Sequence, residues 1–260
     1  MSAPSYDHIR VEKIGSATRI EINRPRRSNS LHSEAHFELD RAFSEFNSDA
    51  TQRVAVIRGA GSRAFCAGTD LKDLAVRGER PLPATGFAGL TERFDLFKPV
   101  IAAINGDAVG GGMEIVLACD LAIAVESARF GLPEPRVGLA ASGGLHRIAR
   151  SVPLKCAMDI ALTGRLFGAV EALEFGLINR VVPAGALEAA VGELADQICL
   201  CAPQSIRATK EMIMVGLEEA SLEQAFARSY PEYQKMLSSS DSEEGAAAFA
   251  EKREANWTGR

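Results

Sequence analysis

Apolar and polar side chains alternate along Ile9-Arg10-Val11 and again along Thr18–Ile22, the period-two pattern of strands with one face in a core. Gly15-Ser16 between them suits a hairpin turn, and Pro25 ends the second strand. From Ser33 the period lengthens: Ala35, Phe37, Leu39, Ala42, Phe43 and Phe46 fall on one face of a helix that Ser33 can cap. Val54–Ile57, Val100–Ile104 and Leu121–Val125 are apolar without a break, as strands covered on both faces are. The first leads through the loop Gly59–Gly68 to a helix starting near Asp70. The second leads through a glycine-rich turn to a helix over Gly111–Ala118. Between them, residues 77–89 are rich in Gly, Pro and small side chains and read as a mobile surface segment. Past Gly143 the pattern is mostly helical, over 143–149, 153–162, 168–175, 186–200, 203–216, 221–237 and 241–255, with Pro203 at one helix start and Asp241 capping the last. The pattern predicts an α/β core of strand–helix units followed by a helical C-terminal part.

Composition narrows the function. The 260 residues, 47% hydrophobic, are enough for a substantial core, and a formal net charge of -5 disfavours nucleic acid as a partner. The five cysteines (Cys66, Cys119, Cys156, Cys199 and Cys201) are odd in number, irregular in spacing and without a Cys-x-x-Cys pair, which argues against a disulfide framework and for a reducing compartment. The opening residues mix Asp7, His8, Arg10, Glu12 and Lys13 with single apolar residues, so no signal peptide is expected. With no uncharged stretch near the ~20 residues of a spanning helix, no membrane partner is expected and the cytoplasm is the expected location.

Several common site motifs fail on order. Gly106-Asp107-Ala108-Val109-Gly110-Gly111-Gly112 lacks the Gly-x-Gly-x-x-Gly spacing of a dinucleotide site, and Gly-Lys never occurs, which excludes a Walker loop. Ala140 stands where a nucleophile elbow around Ser142 requires glycine. His32 and His36 are four apart, but without the His-Glu-x-x-His order, so no metal site is expected.

Two other segments carry chemistry. Each buried strand runs into a glycine-bearing turn that opens a helix: Ala64-Phe65-Cys66-Ala67-Gly68-Thr69-Asp70-Leu71-Lys72 after the first, and Asn105 to Glu114 after the second. The first N–H groups of a helix lack intrahelical partners, so one amide from each turn can converge on a single carbonyl oxygen and hold an oxyanion. Glu114 falls in the first turn of its helix and is followed by Ile115-Val116-Leu117-Ala118, an apolar setting in which a carboxylate is costly without a role or partner. Glu134 is held between Pro133 and Pro135, which fix the direction of its side chain.

On these segments the chain resembles the crotonase superfamily, and within it the enoyl-CoA hydratase branch. The similarity spans nearly the whole chain. Asn23-Arg24-Pro25, Ala64–Lys72, Asn105–Asp120, Phe130–Gly138, Gly143-Gly144, Ala161–Arg165, Ala172–Val182 and Phe249–Asn256 recur in order. The resemblance implies a spiral of ββα units over residues 1–200 that binds acyl-CoA and carries catalysis, with a helical trimerisation region over 201–260. It implies oxyanion donors at the N–H of Thr69 and of Gly111, and catalytic carboxyls at Glu114 and Glu134. Arg26, Arg27, Ala67 and Lys72 match positions that meet CoA. Phe249 and Lys252 match a C-terminal pair that completes the CoA site, often from a neighbouring subunit. The implied reaction is reversible hydration of a trans-2-enoyl-CoA thioester, with no cofactor because CoA is part of the substrate, in a homotrimer or a homohexamer built as a dimer of trimers. A dehydratase for carnitinyl-CoA, or another lyase or isomerase of the superfamily, is the alternative; an isomerase needs one shuttling base, so two glutamates weigh against it. Met113 beside Glu114, Thr69 where Ala is frequent, and a short 138–144 segment with Ser142 depart from the common hydratase pattern and bear on the substrate rather than the reaction class.

Overall fold

A computed structural model of the chain describes residues 5–260. The hairpin forms as expected: β1 (Ile9–Ile14) pairs antiparallel with β2 (Ala17–Ile22), with Ile14 opposite Ala17. In α1 (Ser33–Ser48) two expectations fail. The N-cap is His32, with no side-chain cap, and Ser33 is already helical. The buried face takes His36 rather than Phe37, which is 47% exposed. Position 36 stands three and seven residues before the buried Leu39 and Phe43, the spacing that keeps side chains on one helix face.

A long strand, a short strand and a helix then repeat. The first unit is β3 (Val54–Gly59), β4 (Ala64–Cys66) and α2 (Leu71–Arg77); the second is β5 (Val100–Ile104), β6 (Asp107–Val109) and α3 (Gly111–Ala118). The third is β7 (Leu121–Val125) and β8 (Arg129–Gly131), followed by a 3-10 turn at Glu134–Val137 and α4 (Leu145–Ser151). The chain continues through α5 (Leu154–Thr163), β9 (Phe167–Gly168), α6 (Ala169–Glu174), β10 (Arg180–Val182) and α7 (Leu187–Cys199). It ends in α8 (Pro203–Gly216), α9 (Leu222–Ala227), α10 (Pro231–Leu237) and α11 (Ser240–Glu251). The long strands make one sheet in the order β1-β2-β3-β5-β7-β10, parallel from β2 onward, and the short strands make a second, β4-β6-β8-β9. Each unit therefore gives one strand to each sheet, which is the ββα spiral.

The short strands β4 and β6 escape a pattern reading because three residues are too few to show a period. The helix expected over 221–237 is broken before Pro231, which has no N–H to donate and disfavours a helical residue before it. The last helix is capped by Ser239, whose hydroxyl accepts from Ser242 N; Asp241 is buried and accepts the N–H groups of Thr258 and Gly259. Within the segment expected to lie on the surface, Phe87–Gly89 is buried and packs on α1 and α3.

The core lies on both faces of the larger sheet. Helix α7 crosses β3, β5 and β7 on one side, and the short strand β4 packs on β3 and β5. All five residues of β5 are buried, and side chains such as Ile101 and Ile104 each contribute about 1.5–3 kcal/mol by leaving water. Among the described residues, no helix is long and apolar enough to cross a membrane.

Candidate active site

Both glycine turns are fixed from behind by buried amides. Asn29 Nδ2 donates to the carbonyls of Ala60 and Ala64, while Asn105 Oδ1 accepts from Gly59 N and its Nδ2 donates to Gly61 O. The stretch before the first turn is thus tied to β3 and to the end of β5. A partly buried Arg24–Asp70 ion pair at 3.0 Å, with Asp70 also accepting from Asp73 N, anchors the start of α2. Leu31 N donates to Gly68 O and Asp70 N to Leu31 O, so Thr69 is held between two backbone bonds that leave its own N–H open.

The second turn lies directly against the first. A Cβ on Gly68, at φ +82, would come within 2.8 Å of Gly111 N, and a Cβ on Gly112 within 1.9 Å of the Cys66 carbonyl oxygen. Only glycine permits this approach. Gly110 N donates back to Gly131 O, and Met113 N and Glu114 N to Gly110 O, which starts α3 one residue after a left-handed turn. Among the described residues, neither the Thr69 N–H nor the Gly111 N–H donates to a protein acceptor. Two open amides from adjacent turns are the donor pair that an oxyanion requires.

Both carboxyls reach this place. Glu114 is buried in the first turn of α3, and its Oε1 accepts from Gly143 N at 2.9 Å. Burial, then the Glu134 charge, push its carboxyl up to about 7, against the pull of the Gly143 and Gly144 amides and Arg80. Glu134 approaches from the 3-10 turn after β8: a Cβ on Gly110 would lie 2.8 Å from its Oε1. Its Oε2 is buried without a hydrogen-bond partner, and burial raises its carboxyl as well. Two carboxyls with raised pKa, one held by an amide and one with an open oxygen, can share one proton between an acid and a base.

The CoA candidates divide. Ala67 N donates to Ser28 O at 3.1 Å, which joins Ala67 to the exposed 3-10 turn that carries Arg26 and Arg27. Lys72 is exposed on the first turn of α2, two residues after Asp70. Phe249 and Lys252 do not join them within the chain. They lie on and after α11, which is tied to Arg53, Leu200 and Pro203 through Trp257 and Gly259, and among the described residues no hydrogen bond links α11 to the glycine turns. Ser142 is exposed, next to the Gly143 amide that holds Glu114.

Three neighbours of the site were not singled out from sequence as site residues. Gly143 was visible as part of a recurring glycine pair, but nothing in it signalled a hydrogen bond to Glu114. His36 accepts the Ala88 N–H at its Nδ1 and stacks edge-on against Phe87 at 4.4 Å, so it fixes a turn rather than a metal. Arg80, in the supposed surface segment, donates to Thr69 Oγ1. Among the described residues, no group of three or more His, Cys, Asp or Glu is placed to hold a metal ion.

The family model for enoyl-CoA hydratase/isomerase matches residues 12–260. A carnitinyl-CoA dehydratase of Proteus mirabilis is 45% identical over 254 residues, covering 95% of this chain and 96% of that protein. The enzyme of the same name in Escherichia coli K12 is 41% identical, covering 98% and 99%. The crystal structure of an enoyl-CoA hydratase from Mycobacterium marinum superposes with a TM-score of 0.91 at 38% identity, over 97% of this chain and 99% of that one. That of a carnitinyl-CoA hydratase from Mycobacterium avium gives 0.78 at 40% identity, over 98% and 100%. The chain belongs to the enoyl-CoA hydratase/isomerase family, within the crotonase superfamily, and is an enzyme of that kind.

Proposed function

We propose that the protein adds water reversibly across the double bond of a trans-2-enoyl-CoA to give a 3-hydroxyacyl-CoA. The observation that carries this reading is the meeting of two carboxyls of raised pKa, the buried Glu114 and the half-buried Glu134, at the place where the Thr69 and Gly111 amides stand open together. The thioester oxygen accepts from both amides. Glu114 holds the water and takes its proton as the oxygen bonds to the β carbon. The electron pair of the double bond moves onto the thioester oxygen as an enolate. Glu134 then delivers a proton to the α carbon. Loss of one such amide donor costs about 3 kcal/mol in the barrier. No cofactor is needed beyond the CoA that the substrate carries, for which Arg26, Arg27, Ala67 and Lys72 supply the first contacts.

The names of the relatives favour a second reading, the same chemistry run on carnitinyl-CoA. The loss of absorbance of the enoyl-thioester band, followed with crotonyl-CoA and with crotonobetainyl-CoA, distinguishes them. Turnover of crotonyl-CoA that disappears in Glu114→Gln supports the hydratase reading. Turnover confined to crotonobetainyl-CoA supports the dehydratase. Unchanged turnover in Glu114→Gln excludes both mechanisms. The reading includes a homotrimer or homohexamer, in which Phe249 and Lys252 reach the CoA site of a neighbouring copy, and a cytoplasmic location, in keeping with five free cysteines.

A further inference from the structure

One charge beside the two open amides has no part in this chemistry. Arg80 lies between α2 and the buried Phe87–Gly89 turn. Its Nη1 donates to Thr69 Oγ1, and its guanidinium carbon is 5.9 Å from the centroid of the Phe87 ring. The Phe87 ring in turn lies on Gly111, where a Cβ would come within 2.3 Å of Cζ. Arg80 therefore touches the Thr69 side chain and borders the ring that covers Gly111, and its charge is felt at Glu114.

The nearby arginines are differently placed. Arg77 is paired with Glu34 and Asp73, and Arg24 with Asp70. Among the described residues, no carboxylate forms an ion pair with Arg80, which donates to a neutral hydroxyl. His36, under the Phe87 ring, adds no second cation: burial, then the Arg80 charge, push its imidazole down to about 3. Glu114 and Glu134 lie at the same turns, and the reaction requires them to hold one proton between them.

We propose that Arg80 selects the charge of the acyl group, so that the site prefers thioesters ending in a carboxylate a few carbons beyond the thioester and disfavours those bearing a quaternary ammonium. A guanidinium offers a carboxylate two parallel donors and offers a trimethylammonium group only repulsion. The assignment rests on the acyl-CoA reading of the site. It sets this chain apart from the relatives named for carnitinyl-CoA, whose acyl group is a cation.

Binding of saturated, unreactive thioesters tests it independently of turnover. Calorimetric titration of the full-length protein would use glutaryl-CoA, its neutral isostere 5-methylhexanoyl-CoA, and 4-trimethylammoniobutyryl-CoA. In the wild type, glutaryl-CoA is expected to bind at least about tenfold more tightly than the isostere, with the ammonium thioester weakest. Arg80→Gln should erase the difference between glutaryl-CoA and its isostere, and Arg80→Glu should make the ammonium thioester the tightest of the three. Equal affinities in the wild type, or an anionic preference that survives Arg80→Glu, overturns the role of Arg80 alone. Three thioesters that bind no better than free CoA would overturn the acyl-CoA reading with it.

Discussion

Strand β5 buries every residue from Val100 to Ile104, whereas the C-terminal helices leave Leu217 73%, Phe226 82% and Phe249 88% exposed. The first region is complete within one chain: its two glycine turns, its two carboxyls and the Asn29 and Asn105 clamps behind them need no second copy. The second holds large apolar side chains in water, a pattern that marks a surface built to be covered. The same division runs through the residues assigned by resemblance. Those on the spiral come together, and the pair on and after α11 does not. On the proposed reading, chemistry is local to the spiral and completion of the CoA site belongs to assembly.

The largest expected effects test that division directly. Glu114→Gln and Glu134→Gln should each lower kcat by about 10²–10⁴-fold, the range for loss of a general acid or base. Phe249→Ala should raise KM with little change in kcat, since it removes a contact made equally in ground and transition states. Steady-state kinetics on enoyl-CoA thioesters reads both. A kcat loss in Phe249→Ala as large as that of either glutamate would break the division.

Next in size is the packing of the two turns. Gly112→Ala places a methyl group 1.9 Å from the Cys66 carbonyl oxygen and 2.7 Å from its carbon, atoms of a buried strand that cannot swing aside. A loss of about 3 kcal/mol or more is expected in urea unfolding, at the upper end for an overpacked core.

The pH dependence of stability should show the Glu114 carboxyl. Its pKa is about 7 in the folded chain against an ordinary 4.5, so between those values the folded state binds more protons than the unfolded one. Its burial costs nothing extra below pH 4.5, and the cost grows as pH rises to about 7. The wild type should therefore lose up to roughly 3 kcal/mol across that window relative to Glu114→Gln. Glu134, also raised, acts in the same direction in both proteins and so drops out of their difference. Urea midpoints of both proteins at pH 5 and pH 8 measure it, and parallel curves would place Glu114 in a wetter site than its burial implies.

How much of this was legible in the sequence follows from the length of each signal. The helix over Gly111–Ala118 and the strands over Val100–Ile104 and Leu121–Val125 match their expected bounds, because glycine, proline and unbroken apolar runs punctuate them. The three-residue strands β4 and β6 were not legible, although they bring the turns side by side. His36 was masked by Phe37, the more apolar of two neighbours. The positions of Glu114 and Glu134 could be named from motif, but their approach across Gly110 could not. It depends on the register of β6 against β8, which pairs Val109 with Gly131. Arg80 sits in a stretch whose composition signals only a loop.

The smallest effect bears on where the covered surface begins. Gly192 is an exposed glycine in the interior of α7, with no atom within 4 Å of a built Cβ and no left-handed backbone to favour glycine. Alanine there restrains the unfolded chain and improves helix propensity, so Gly192→Ala should stabilise the protein by about 0.5–1 kcal/mol, or raise Tm by about 1–4 °C. Helix α7 buries Val191 and Ala195 against the sheet and turns Gly192 outward. If the gain appears and the elution volume on size exclusion is unchanged, this face of α7 belongs to the self-sufficient spiral. If the substitution destabilises the protein or shifts it to a smaller assembly, the empty space around Gly192 is filled by another copy, and the boundary between the two regions lies before α7 rather than after it.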